Sequence, residues 1–266
     1  MAQEISMDSE GAVFSEDGKT LVGYSDGKAQ GTYRIPGGVR TIGENAFSHY
    51  ESIITRLAGV EKDCVGTLTV CVPESVGSIE KYAFDSCNRN LGAIIVDENN
   101  PYYSSDDGVL FHKHGQYLYR YPPGKKGDSY IIPKGVAIVA EGAFSHCNDL
   151  KSIEFPNTLI DIEPFAFEEC IRLINIEIPG TVTSIGNHAF SLCSRLTNVI
   201  LSDGVRCIED CAFACCPFLK NITIPDSVEH IREAAFMGCS VLTIHCRENS
   251  TAHKYAHENK IKFKLT

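Results

Sequence analysis

From Leu150 to Leu242 the chain repeats itself every 23 residues, and no other feature constrains its fold so tightly. The marker is an Ala-Phe pair followed three residues later by Cys, at Phe144/Cys147, Phe167/Cys170, Phe190/Cys193, Phe213/Cys216 and Phe236/Cys239. Around it runs the pattern Leu-x-x-Ile-x-Ile-Pro-x-x-Val-x-x-Ile-x-x-x-Ala-Phe-x-x-Cys, readable from Leu173, Ile176, Ile178, Pro179, Val182 and Ile185 to Ala189, Phe190 and Cys193. A unit this short cannot bury its apolar face alone. Stacking it on its neighbours makes a continuous core, so the period predicts a repeat solenoid.

Upstream the signature loosens, with Phe47 and Phe84 as earlier rungs, which makes seven Phe rungs in all. The stretch from Gly108 to His146 matches Gly11 to His49 without a gap at an offset of 97, through Phe14/Phe111, Leu21/Leu118, Tyr24/Tyr121, Tyr33/Tyr130 and Phe47/Phe144. Such a match is a duplicated module. Each copy carries two alternating runs, around Asp17-Gly18 or His114-Gly115, which predict a β-hairpin inserted into an otherwise regular rung.

Composition narrows the function classes. A stacked repeat grows along one axis, so 266 residues predict one domain: a hairpin cap over 1–32, repeats over 33–246 with a hairpin insert at about 97–129, and a helical cap over 247–266. No run approaches the roughly 20 apolar residues of a membrane helix. The net charge of −10 and the lack of a basic stripe argue against nucleic acid. The start Met1-Ala2-Gln3-Glu4-Ile5-Ser6 has neither a basic segment nor an apolar core, so no secretory leader is expected in this chain, which leaves the cytoplasm open.

Within a rung, Ile153-Glu154-Phe155, Ile176-Glu177-Ile178 and Ile222-Thr223-Ile224 alternate with the period of a half-buried strand. Successive strands should pair in parallel. The Pro that follows (Pro156, Pro179, Pro225) has no N–H to donate and ends the ladder. A second short extended segment should carry Val182 and Ile185, and Ala-Phe-x-x-Cys is expected to form one helical turn opposite the strands. Helical turns pack about 8–10 Å apart and strands at about half that distance, so the strand side is expected to be concave and the turn side convex. On that spacing the ladder cysteines would stand too far apart to bridge, leaving free, buried thiols.

The pattern from about Tyr33 to Cys246 resembles the bacterial surface-antigen group of leucine-rich repeats, often called BspA-like. Val96-Asp97-Glu98-Asn99-Asn100-Pro101-Tyr102-Tyr103, Asp107-Gly108-Val109-Leu110-Phe111 and the terminal Ser250-Thr251-Ala252-His253-Lys254-Tyr255-Ala256 share the likeness. The resemblance implies a right-handed leucine-rich-repeat-like stack with a parallel sheet on its concave face. It also implies secretion or a bacterial cell-surface location, and adhesion or protein binding.

Several side-chain groups are candidates for chemistry. Cys207, Cys211, Cys215 and Cys216 form the densest cysteine cluster, but their spacing matches neither zinc pairs nor iron-sulfur motifs, so packing is the expected role, with an adventitious metal or redox site as the rival. His253 and His257 lie four apart on the expected terminal helix and lack the Glu of a metalloprotease motif between them. No nucleophile elbow, phosphate loop or dinucleotide fingerprint is present. Neither an enzyme nor a cofactor nor a metal site is expected.

What remains is surface. Asn175, Asn198 and Asn221 should align on the outward side of the sheet beside Glu154, Glu177, Ile200 and Thr223. Stacked amides can bond to one another along a ladder or can meet a ligand, and both readings stand. The expected function is a monomeric, non-enzymatic module that binds a protein or glycan through this strip. A structural spacer in a larger assembly is the alternative, and the Tyr-rich segment Tyr117, Tyr119, Tyr121 is the next candidate surface.

Overall fold

A computed structural model of the chain describes residues 5–24, 31–47, 67–84 and 90–266; Cys87 and His49 lie outside them. Two compact units are present, Met1–His114 with Arg120–Lys125, and Gly115–Tyr119 with Lys126–Thr266.

In the first unit Ala12–Ser15 and Thr20–Tyr24 form the antiparallel hairpin expected around Asp17-Gly18, with Ile5–Met7 on its other side. Parallel pairing then begins: Thr20–Tyr24 is followed by Thr41–Ile42 and Ser78–Ile79, while Gly31–Arg34, Leu68–Val72 and Leu91–Val96 make a separate three-stranded parallel sheet. Phe47 stacks on Phe84 at 5.1 Å between ring centroids, and both are buried. In the duplicated module Tyr103–Asp106 pairs antiparallel with Val109–His112, turning at Asp107-Gly108, where both residues have positive φ, as Ile5–Met7 pairs with Ala12–Ser15 in the first copy.

The second unit carries the regular repeat. Seven parallel strands form one ladder: Ser129–Ile131, Ser152–Glu154, Asn175–Ile178, Asn198–Leu201, Asn221–Thr223, Thr243–Cys246 and Lys262–Leu265. The register holds every rung in phase, with Ile176 beside Val199 and Val199 beside Ile222, all buried. A second, shorter ladder runs through Ile138–Val139, Asp161–Ile162, Ser184–Ile185, Cys207–Ile208 and His230–Ile231, its inward row being Val139, Ile162, Ile185, Ile208 and Ile231.

The expected helical turn is not there. Among the described residues the one helix is Thr251–Glu258, and each Ala-Phe-x-x-Cys segment is a set of tight turns. Residues two before and two after the Phe take the left-handed conformation: Phe165, His188 and Cys211 before it, and His146, Glu169, Leu192 and Cys215 after it, all with φ between 55° and 61°. Alternating the backbone hand cancels helical winding and aims every second N–H along the stacking direction. These N–H groups are donated to the following rung, from Phe144 to Ala166, Phe167 to Ala189 and Phe190 to Ala212 at 2.7 Å each, flanked by His188 to Asp210 at 3.0 Å and Leu192 to Ala214 at 2.9 Å. The alternate N–H groups close turns within the rung, as Glu168 does to Phe165. Left-handed geometry costs a non-glycine residue about 1–2 kcal/mol, and it persists because three inter-rung bonds per turn enforce it.

The turn side is therefore spaced by backbone hydrogen bonds, as the strand side is, and the difference in spacing on which a curved stack was expected is not found. Ring centroids confirm it: Phe144, Phe167, Phe190, Phe213 and Phe236 follow one another at 4.7, 4.9, 5.3 and 5.6 Å, with planes within 15° of parallel. Tyr255 closes the column edge-on at 5.9 Å from Phe236. It is presented by the expected C-terminal helix, whose Ser250 cap accepts from the His253 N–H at 3.1 Å. After the helix the chain adds one more strand, Lys262–Leu265, where only a helical cap was expected.

Phe190 is fully buried between two parallel rings. Phe190→Ala should cost about 3–5 kcal/mol in urea unfolding, as for other emptied aromatic sites. The exposed Arg195→Ala should change stability by less than about 0.5 kcal/mol. Equal midpoints for the two variants would remove the assigned register.

Candidate binding face

The seven-stranded ladder turns alternate residues to solvent in two rows. One is Ser129, Ser152, Asn175, Asn198, Asn221, Thr243 and Lys262; the other is Ile131, Glu154, Glu177, Ile200, Thr223, His245 and Lys264. All seven residues proposed from sequence fall in these rows. Ile131 and His245 also belong to the second row and were missed, although Ile131 stands 23 residues before Glu154, and Thr243-Ile244-His245 keeps the polar-apolar-polar alternation despite a one-residue deletion in its rung.

The two rows differ in what their side chains already do. The Asn198 amide donates to Asn175 Oδ1 at 2.8 Å and the Asn221 amide to Asn198 Oδ1 at 3.0 Å, while His245 Nε2 lies 3.1 Å from Asn221 Oδ1 and the Thr197 hydroxyl donates to Asn175 Oδ1 at 3.1 Å. This is a zipper of amides along the stack. In the second row Glu154, Glu177 and Thr223 are exposed and have no side-chain partner among the described residues, and Ile131 and Ile200 are 66% and 46% exposed. Glu154 and Glu177 sit at the same position of neighbouring strands, where like charges repel.

The cysteine ladder has a role that the periodicity did not reveal. Cys170 donates its thiol to the Phe144 carbonyl at 3.1 Å, Cys193 to Phe167 at 3.2 Å, Cys216 to Phe190 at 3.2 Å and Cys239 to Phe213 at 3.1 Å. Each thiol thus reaches back one rung and adds a donor to a Phe carbonyl, and those of Phe144 and Phe167 also accept from the Cys147 and Cys170 N–H groups. Cys147, Cys170, Cys193 and Cys216 are at most 1% exposed. Burial pushes the Cys193 thiol up to about 12, and Cys216 is held above its usual value by its hydrogen bond with Cys239 and by burial. The premise that these thiols stand far apart is overturned by the close rung spacing; they run in parallel and are engaged with carbonyls.

The other candidates disperse. Cys207 is held up to about 11 by burial and by donating its thiol to Glu209 at 3.0 Å, Cys211 is buried, and Cys215 is exposed on the turn. No group of three His, Cys, Asp or Glu side chains among the described residues could hold a metal ion. His253 Nδ1 accepts from the Asn249 N–H at 3.0 Å and its ring packs on Phe263, while His257 is exposed. Tyr121 is buried in the core, and the Tyr117 hydroxyl donates to Glu163 at 2.7 Å, so the Tyr segment is not the open aromatic patch that was expected. Among the described residues no helix is long and apolar enough to cross a membrane.

A family model described as a BspA type leucine rich repeat region matches the chain in six copies, over residues 62–106 and 123–243. Among solved structures, a leucine-rich repeat protein from Eubacterium ventriosum is 25% identical with a TM-score of 0.70 over 80% of this chain and 53% of its own. A leucine rich cell surface protein from Faecalibacterium prausnitzii is 28% identical with a TM-score of 0.69 over 87% of this chain and 62% of its own. The chain therefore spans little more than half the length of each. The pneumococcal vaccine antigen PcpA, at 16% identity and a TM-score of 0.54, shares the fold. No curated protein matches.

Two outcomes test these assignments. Cys193→Ala should destabilise the protein by about 1–2 kcal/mol by removing the thiol donor to the Phe167 carbonyl, which keeps the Cys170 N–H, and by opening a small cavity, and iodoacetamide should label Cys215 in the folded protein while Cys147, Cys170, Cys193 and Cys216 react only in denaturant. Asn198→Ala interrupts the amide zipper in the middle. It should cost about 1 kcal/mol, read from the melting midpoint, and leave the strand register unchanged.

Proposed function

We propose that this chain, which belongs to the BspA type leucine-rich repeat family, is a non-enzymatic binding module of the cell surface that recognises a protein or glycan through the second outward row of its seven-stranded ladder. The observation that carries the reading is the contrast between the rows. The Asn row spends its hydrogen-bonding groups within the protein, whereas Glu154, Glu177, Ile200 and Thr223 offer two carboxylates, an apolar side chain and a hydroxyl that have no side-chain partner among the described residues. Backbone pairing on both sides holds these groups rigid, so association would order little. Ile131 and His245 extend the strip at either end.

Surface location rests on the family and on the F. prausnitzii relative, itself described as a cell surface protein. A second reading, a rigid spacer, is favoured by one observation: the amide zipper and cross-rung ion pairs such as Lys151–Asp128 at 2.9 Å and Arg232–Glu209 at 3.2 Å stiffen the stack whether or not anything binds.

Screening the protein against a glycan array and a panel of extracellular-matrix proteins, in parallel with the variant carrying Glu177→Lys and Ile200→Lys, separates the readings. Both positions face solvent, so the variant should unfold within about 0.5 kcal/mol of the parent. Its affinity for a true ligand should fall about tenfold or more. A ligand bound equally by both proteins would move the site off this strip, and no ligand on either panel would favour the spacer.

A further inference from the structure

Along the outward row proposed above, an apolar side chain, two carboxylates and a second apolar side chain follow one another on consecutive strands: Ile131, Glu154, Glu177 and Ile200. Ile131 and Ile200 are 66% and 46% exposed, and both carboxylates face solvent. Neither carboxylate has a side-chain partner among the described residues. The flanking Lys151 is committed to Asp128 at 2.9 Å, and the next basic side chain along the row, His245, lies beyond Ile200 and Thr223. No group of three His, Cys, Asp or Glu side chains among the described residues could hold a metal ion, so the counter-charge that fits this pair is a cationic side chain. A neutral ligand laid over Glu154 and Glu177 would strip their water and leave two like charges side by side. A cation relieves both costs.

The spacing of the row selects the shape of that partner. Strands of a sheet lie about 4.8 Å apart, so the four side chains stand at about 0, 4.8, 9.6 and 14.4 Å along the stack. An extended chain laid across the strands puts its same-face side chains about 6.7 Å apart and is out of step by about 6 Å at the fourth. An α-helix rises about 1.5 Å per residue. Its positions i, i+3, i+7 and i+10 share one face and stand at about 0, 4.5, 10.5 and 15 Å, within about 1 Å of every strand, whichever way the helix runs. Backbone bonds space the turn side and the strand side alike, which keeps the row straight enough for such a rod.

We infer that the row binds a cationic amphipathic helix of a partner protein, lying along the stack with apolar residues at i and i+10 over Ile131 and Ile200 and Lys or Arg at i+3 and i+7 over Glu154 and Glu177. The isoleucines supply the apolar contact, and the carboxylates set the charge preference. This rests on the row being the recognition face and adds the class of partner, a protein helix in place of a glycan.

The probe is a capped, Ala- and Gln-rich peptide of about 20 residues, long enough to be helical, with Leu at i and i+10 and Lys at i+3 and i+7, titrated against the full chain at low salt by fluorescence anisotropy. Its controls are a peptide of the same composition with both Lys moved to the opposite face, and a peptide of alternating Lys and Val. The helical peptide is expected to bind about tenfold or more tightly than either control, and to lose about tenfold or more against the variant carrying Glu154→Gln and Glu177→Gln, whose urea midpoint should not fall below the parent's. The variant carrying Glu154→Lys and Glu177→Lys should instead take the matching peptide with Glu at i+3 and i+7. The inference is overturned if the helical peptide fails to bind the parent, if the Gln variant binds it equally, or if the Lys/Val peptide binds as tightly. Failure of the row itself reads differently. A glycan or matrix protein that binds the parent but not the variant carrying Glu177→Lys and Ile200→Lys, and that the helical peptide does not displace, keeps the row and strikes the helix, whereas a helical peptide bound equally by the parent and that variant removes the row as well.

Discussion

Backbone hydrogen bonding from each rung to the next is the interaction on which the rest of the second unit depends. Two strand ladders and the tight turns all donate N–H groups along the stack, so every stretch of the 23-residue rung is held at nearly the same spacing from its neighbour. Once that spacing is set, a residue repeated at one position becomes a column. Phenylalanines stack face to face, asparagines zip, and thiols fall opposite the carbonyls of the rung before.

The turn shows how strongly this constraint acts. A segment with apolar residues three and four apart has the local pattern of a helix, yet a helix would direct its N–H groups along its own axis and leave none for the neighbours. Left-handed residues such as Phe165, Leu192 and Cys215 cost conformational energy and release every second N–H for the stack. Glycine meets a related demand at Gly180 and Gly204, which approach so closely that a Cβ on Gly180 would lie 1.8 Å from the Asp203 carbonyl oxygen. The cysteines answer it too. In the crowded turn a thiol packs as a small apolar group and still offers a weak donor to the Phe carbonyl, which Ala or Val could not do.

The same regularity separates structure from surface. Side chains that find a like partner one rung away are absorbed into the stack, as the Asn row is; those that meet a repelling or indifferent neighbour, as in Glu154, Glu177 and Ile200, stay free.

Periodicity alone determined that the chain stacks, which rows are buried, that the Phe positions form its core and which residues face outward from the strands, because alignment at 23 residues and alternation within a strand are properties of the sequence itself. The hairpin at Asp17-Gly18 was legible for the same reason, since its turn is written in adjacent residues. Only the tertiary structure decided that the turns are not helical, that the cysteines serve as donors, that the Asn row is bonded within itself while the row beside it is not, and that a further strand follows the helix Thr251–Glu258. Each of these depends on the distance between residues one rung apart, and sequence alignment shows which residues lie in line without showing how close they stand.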